Sequence, residues 1–346
     1  MFGLASMIVG LAIMATVPIL QLVSLGYLLE VSGRIVRTGR VREGFIGIRP
    51  AARAGSIVLG VWLLLWPVRL VSSMATSARL IQPGSPADRG WSFALWALTL
   101  LLVLHVVGAC LRGGRLRNFA WPAPLRVIRL LRAPGTWATA RDATCDYILA
   151  MRLPYYFWLG LRGFVGGLIW LVVPVALLAA GQKTPPLSLL GGLAMVFAIL
   201  YLPFAQTRFA AQGRFRALFE LRPLRAWFRH APWAFWLALL VTLALALPLY
   251  LLKIELIPRD AAWLPSILFV LFGLPSRLAV GWACSLGGSR RQQRAWYVRY
   301  PARLLMLPIA AAYVFITFFT QFTSWYGVGS LLEQHAFLLP APFLGY

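Results

Sequence analysis

Acidic residues are scarce in this chain. Nine Asp and Glu stand against 33 Lys and Arg over 346 residues, a net charge of +24. Charged residues together make up 12%, about half the roughly 25% of a soluble globular domain. None of the nine acids falls deep inside a long apolar run; all lie outside the runs or at their rims. Proton- or sodium-coupled transporters need carboxylates within the membrane, so ion-coupled transport is disfavoured. Histidine is nearly missing too: His105, His230 and His335 are far apart on different elements, which argues against a metal site. The three Cys give no disulfide framework. Cys110 and Cys284 sit at the basic ends of apolar runs and Cys145 lies in a basic loop, so no structural disulfide is expected. H-E-x-x-H, G-x-S-x-G and G-x-x-x-x-G-K are all absent. No catalytic residue and no cofactor is expected, and the chain reads as a non-enzyme.

What the chain has instead is arginine and apolar length. Only Lys183 and Lys253 are lysines, against 31 Arg, and 60% of the residues are hydrophobic. Most of the Arg fall in four blocks, at 30–54, 112–154, 208–230 and 287–303, which hold 25 of the 33 basic residues. Two apolar runs separate each block from the next. That spacing argues against nucleic acid, which calls for a basic patch on one folded face. It matches a multi-pass membrane protein whose alternate loops retain Lys and Arg on the cytoplasmic side. The other set of loops carries only Arg89, Lys183, Lys253 and Arg259. The 25-to-4 contrast places both termini outside. A basic inner face also attracts anionic lipid headgroups.

Eight spans are expected: 3–29, 55–81, 91–111, 155–181, 187–207, 231–252, 261–286 and 304–326. Each reaches the roughly 20 residues needed to cross the hydrocarbon. The fold class is therefore an all-α polytopic bundle. No cleavable signal is evident, because nothing basic precedes the first run and the run is long. Pro18 falls inside it and is expected to kink one helix. The outer loops carry turn chemistry at Gln82-Pro83-Gly84-Ser85-Pro86 and Lys183-Thr184-Pro185-Pro186. Residues 112–154 are long enough to hold structure. Arg126, Arg129 and Arg132 recur at three-residue intervals beside Leu125, Ile128 and Leu131, which predicts an amphipathic helix on the inner interface. A second such helix is expected from Thr136 to Met151.

Landmarks recur in order along the chain. Pro18 and Gln21 answer Pro203 and Gln206. Trp66-Pro67 answers Leu247-Pro248. Cys110-Leu-Arg-Gly113-Gly114 answers Cys284-Ser-Leu-Gly287-Gly288, and Arg152-Leu-Pro154 answers Arg299-Tyr-Pro301. They suggest a 4+4 parallel tandem repeat, with a first half at 1–181 and a second half, with a short outer tail, at 182–346. An even number of spans per half would set the pseudo-twofold axis along the membrane normal.

Two stretches carry a family resemblance. They are Gly26-Tyr27-Leu-Leu-Glu30-Val-Ser-Gly33-Arg34-Ile-Val-Arg37-Thr-Gly39 and Arg208-Phe209-Ala-Ala-Gln212-Gly213-Arg214-Phe215-Arg-Ala-Leu-Phe219. Both resemble a bacterial and archaeal family of integral-membrane proteins classed as a domain of unknown function. Its members combine a Gly-Tyr helix end with a basic loop. The Val41-Arg42-Glu43-Gly44 loop departs from the acidic-aromatic pattern of that family. The resemblance implies membrane topology and supplies no activity.

Three Arg lie within expected spans. Arg162 is near the inner end of span four and can snorkel. Arg69 and Arg277 lie deeper, each in a Pro-x-Arg-Leu sequence. A central Arg costs about 2.5–3.5 kcal/mol on insertion scales. Either each guanidinium caps carbonyls that proline frees one turn earlier, or the pair serves an anionic headgroup or substrate. Among interior polar groups, His105 is expected to pack with a hydrogen bond. Gln21 and Gln206 either pair across the repeat axis or snorkel at the rim. Gly160, Gly163 and Gly167 mark a close-packing face on span four.

Two functions follow from these features. The preferred one is a non-enzymatic scaffold in a cell membrane, of the bacterial cytoplasmic kind, whose basic face binds anionic lipid or a partner. The alternative is a membrane carrier or lipid-handling protein with an anion site near Arg69 and Arg277.

Overall fold

The computed structural model describes residues 1–133, 135–181, 184–254, 263–290, 292–323 and 331. Lys183, Arg259 and the carboxyl-terminal tail lie outside the described residues. Among the described residues there are helices and turns and no strand. The long apolar helices are α3 (Ile48–Ile81), α4 (Pro86–Leu111), α8 (Leu153–Ala180), α9 (Pro185–Gln212), α11 (Pro232–Ile254), α12 (Trp263–Ser289) and α13 (Trp296–Thr323). Shorter helices are α1 (Phe2–Thr16), α2 (Gln21–Thr38), α5 (Leu116–Ala120), α6 (Pro124–Arg132), α7 (Thr136–Ala150) and α10 (Leu221–His230). Six helices are long and apolar enough to cross a membrane, and up to seven if α10 and α11, bent by 110°, are one broken span.

The first expected span is corrected. Residues 3–29 do not form one kinked helix. The chain turns at Val17–Leu20 and starts again as α2. Proline lacks the N–H that would continue the helix and clashes with the carbonyl four residues back. α1 has 15 residues, about 22 Å at 1.5 Å per residue, against a hydrocarbon core of about 30 Å. α2 runs on through Glu30, Arg34 and Arg37, beyond the apolar run. α9 likewise continues through Arg208 to Gln212. Basic blocks thus begin inside helices, because a helix satisfies its own backbone as it leaves the hydrocarbon.

The chain divides into two compact units, residues 1–7 with 47–151, and residues 8–46 with 152–346. In the first, α3 and α4 form a hairpin. Its turn is capped where Ser85 Oγ accepts from Asp88 N at 3.2 Å and Asp88 Oδ2 accepts from Gly84 N at 2.9 Å. A carboxylate at a helix start also suits the positive end of the macrodipole. Arg112, at the other end of α4, donates to the carbonyls of Gly108, Asn118 and Trp121. That ties the chain after α4 into α5. α6 leaves Leu125 and Ile128 exposed beside Arg126, Arg129 and Arg132.

In the second unit, α2, α8, α9, α11, α12 and α13 enclose the core, with Leu29, Leu171, Ile199, Leu202, Phe209, Leu239 and Tyr313 almost fully buried. The glycine face of α8 does pack closely. A Cβ on Gly160 would strike the Leu22 carbonyl of α2, and one on Gly26 would strike the Tyr156 carbonyl of α8. Small residues let two backbones approach, which is the main source of helix attraction in lipid.

Candidate functional site

The ends of α2 and α9 are built alike. α2 closes at Gly39 in the left-handed region (φ 74°), whose N–H donates to Ile35 O. Arg40 is extended, and a 3-10 turn follows at Val41–Gly44. α9 closes at Gly213 (φ 69°), whose N–H donates to Phe209 O. Arg214 is extended, and a 3-10 turn follows at Phe215–Leu218. Arg34, five residues before its glycine, reaches Glu43 at 3.4 Å. Arg208, five residues before its glycine, reaches Glu220 at 2.6 Å. The two stretches that carry the family resemblance are thus one local device used twice.

The two ends also meet. Arg37 donates to the Ala210 carbonyl at 2.8 Å, covering an unsatisfied group in the last turn of α9. Its other terminal nitrogen bonds Glu30 Oε1. Glu30 is buried and accepts a second bond from the Tyr155 hydroxyl at 2.8 Å. A buried carboxylate is stable only with such partners. The fourth basic block joins the same end: Arg294 N donates to Arg229 O at 3.0 Å, and Gly287 lies against Trp227. Basic residues from 34–42 and 208–229, with Arg290 and Arg294, therefore gather at one end of the second unit.

α10 presents this charge outward. Arg222, Arg225 and Arg229 are exposed on one face and Leu224 is buried on the other. Arg225 Nε donates to the Tyr201 hydroxyl at 3.3 Å. Arg208 is buried, lies over the Trp227 ring at 5.7 Å, and has Nε and Nη1 without a hydrogen-bond partner.

The residues expected within spans separate into different settings. Arg277 is buried on α12 and donates Nη2 to Gln206 Oε1 at 2.9 Å, with Nη1 buried and unpartnered. Gln206 is therefore the polar neighbour of Arg277. Gln21 is buried at the start of α2. Arg69 and Arg162 are exposed along their helices. Arg69 lies about 24 Å beyond Arg53 along α3 at 1.5 Å per residue. His105 Nε2 pairs with the Phe119 carbonyl at 2.9 Å, a packing bond between α4 and α5. The three cysteines are free. Among the described residues, no group of three or more His, Cys, Asp or Glu could hold a metal ion.

Residues 153–257 match the model of a family described as "Protein of unknown function (DUF4013)". No curated protein and no solved structure matches the chain. The matched segment carries α8 to α11 and includes the 208–219 stretch; the 26–39 stretch lies outside it. With its apolar helices, the chain is a multi-pass integral membrane protein of unknown activity.

Glu30 and Tyr155 were missed by sequence reasoning. Glu30 stood at the rim of an apolar run, and its partner lies 125 residues away. The signal available was the Glu30…Arg37 spacing of seven, two helical turns on one face.

Proposed function

We propose that this protein is a non-enzymatic scaffold of the cell membrane, whose basic end faces the cytoplasm and binds anionic lipid or a partner. The observation that supports it most is the gathering of three Arg blocks at one end of the second unit. Like charges repel, so such an end is stable beside a negative surface, where each Lys or Arg contributes about 1 kcal/mol. With α11 crossing the membrane, the 110° bend lays α10 along the surface. Trp227 and Phe228 then sit at headgroup depth with Arg222, Arg225 and Arg229. α6 has the same character in the first unit. Both termini lie outside in this arrangement, and membrane lipids, not nucleic acid, are the partners.

The test has two arms. Single Cys at positions 40, 132 and 222 are protected from an impermeant thiol reagent applied outside, and a Cys at 83 reacts; the reverse pattern rejects the cytoplasmic assignment. Replacing Arg126, Arg129, Arg132, Arg222, Arg225 and Arg229 by Gln lowers co-purified anionic lipid by about tenfold or more. Unchanged lipid content in that variant rejects the scaffold reading.

A second reading, a carrier or lipid-handling protein with an anion site, draws on Arg277. Its Nη1 is buried without a partner, and Gln206 brings no charge to offset it. Arg69, exposed on α3, does not add to that argument.

A further inference from the structure

Tyr201 and Arg208 are seven residues apart on α9, so they share one face about 10 Å long. α10 lies along it. At one end Arg225 stands over the Tyr201 ring at 5.8 Å, its Nε held by the hydroxyl. At the other Arg208 stands over Trp227, with Glu220 on Nη2. Both guanidinium groups keep unspent donors. Nε and Nη1 of Arg208, a side chain only 5% exposed, have no hydrogen-bond partner. The terminal nitrogens of exposed Arg225 donate to nothing among the described residues. Between 208 and 230 there are six Arg and one carboxylate, Glu220. Glu220 answers Arg208 alone and leaves the rest of the positive charge unopposed.

We propose that this face is a headgroup site for an anionic phospholipid, which offers its phosphodiester to exposed Arg225 and the outer oxygens of its headgroup toward Arg208. The inference deepens the scaffold reading and rests on it. Arginine's planar fork fits a phosphate oxyanion pair, and stacking on Tyr201 and Trp227 fixes both forks in advance, so little ordering remains to be done on binding. The ligand is a lipid and not free phosphate because exposed Phe197 packs against Tyr201, ring centroids 4.9 Å apart, on an apolar helix long enough to cross a membrane. Those rings suit the boundary between headgroup and acyl chain. Glu220 competes for Arg208, so its removal strengthens binding.

The full-length protein, purified in mild detergent with phosphatidylglycerol and phosphatidylcholine, is examined by native mass spectrometry. Arg225→Gln weakens phosphatidylglycerol retention about tenfold, as expected for losing one charge-assisted contact. Arg208→Lys keeps the charge, loses the fork, and weakens it similarly. Glu220→Gln strengthens it. Phosphatidylcholine retention stays unchanged, and excess inorganic phosphate displaces nothing. Wild-type retention in Arg225→Gln, an exposed position that leaves the fold intact, overturns the site. Displacement by inorganic phosphate overturns the lipid assignment. A wild-type protein with no preference for phosphatidylglycerol overturns the scaffold reading itself, which is a separate outcome.

Discussion

The two units cover their apolar helices differently. In α3 and α4 only 11% of each membrane-crossing window is buried by protein. In α9, α12 and α13 of the second unit the share is 39%, 50% and 33%. The first unit meets its surroundings with aliphatic and aromatic side chains, among them exposed Trp62, Trp66, Phe93 and Trp96. The second has a core of its own, closed by glycine contacts and buried polar bonds. Lipid tails are as apolar as leucine, so burial in protein adds little hydrophobic gain there; close packing and satisfied polar groups supply the attraction. Specific geometry should therefore matter in the second unit and be nearly neutral along the open faces of the first.

The largest effect expected from that contrast concerns glycine. Gly160→Leu or Gly26→Leu drives a side chain into a facing backbone carbonyl, which no rotamer change can relieve. Destabilisation of about 3 kcal/mol or more is expected, as for severe overpacking. Gly90 lies on α4 of the first unit with nothing within 4 Å of its Cβ position, so Gly90→Leu should stay within about 0.5 kcal/mol. Thermal unfolding in detergent, followed by size exclusion, measures both. Equal losses at Gly160 and Gly90 would break the comparison.

The same contrast explains what the sequence made legible. Helices, their apolar length and the four Arg blocks follow from local composition. The 82–86 turn also forms as its residues predict. What composition could not supply was tertiary choice. Pro18 and Pro203 look alike in sequence, yet Pro18 lies in the break between α1 and α2 while Pro203 is inside continuous α9. α2 packs back with the Ser24 hydroxyl on the Leu11 carbonyl at 2.8 Å, a bond no local rule announces. Matching the closing glycines of α2 and α9 sets Ser32, not Gln21, opposite Gln206. Arg277 and Gln206 were each singled out by being polar in an apolar run. Their pairing across 71 residues was beyond reach of either run alone.

Arg277 gives the next largest effect and divides the two functional readings. It is buried, with one amide partner and one unpartnered nitrogen. If its role is to tie α12 to α9, Arg277→Leu removes a costly buried charge together with its bond. The relief of that charge offsets the roughly 1–3 kcal/mol of leaving the buried Gln206 oxygen without this donor, so the net change is small, and lipid content stays as in the wild type. If it holds an anion, the folded Arg277→Leu protein loses bound anionic lipid or oxyanion while its melting temperature is kept or raised. The converse change, Gln206→Leu, strands the guanidinium and should destabilise by about 3 kcal/mol under either reading. Melting curves and lipid analysis of the two variants separate the cases.

The smallest effect tests whether the two basic helix ends are equivalent. Gly39 and Gly213 both adopt φ near +70° and both donate to the carbonyl four residues back. A Cβ in this region meets the following carbonyl, at a cost of about 1–2 kcal/mol. Gly213 has nothing within 4 Å of its Cβ position, and Gly39 only the Ser285 hydroxyl at 4.0 Å. Packing therefore adds nothing at either site, and backbone strain alone is measured. Gly39→Ala and Gly213→Ala should each lower stability by about 1–2 kcal/mol, by the same amount within error. Their double variant measures the coupling between the two ends, since Arg37 of one bonds the Ala210 carbonyl of the other. A cost at one glycine and none at the other would show that the shared cap is a coincidence of sequence and not a repeated element. Equal costs are what one local cap used twice predicts, with Arg34 matched to Arg208 by its place five residues before the glycine.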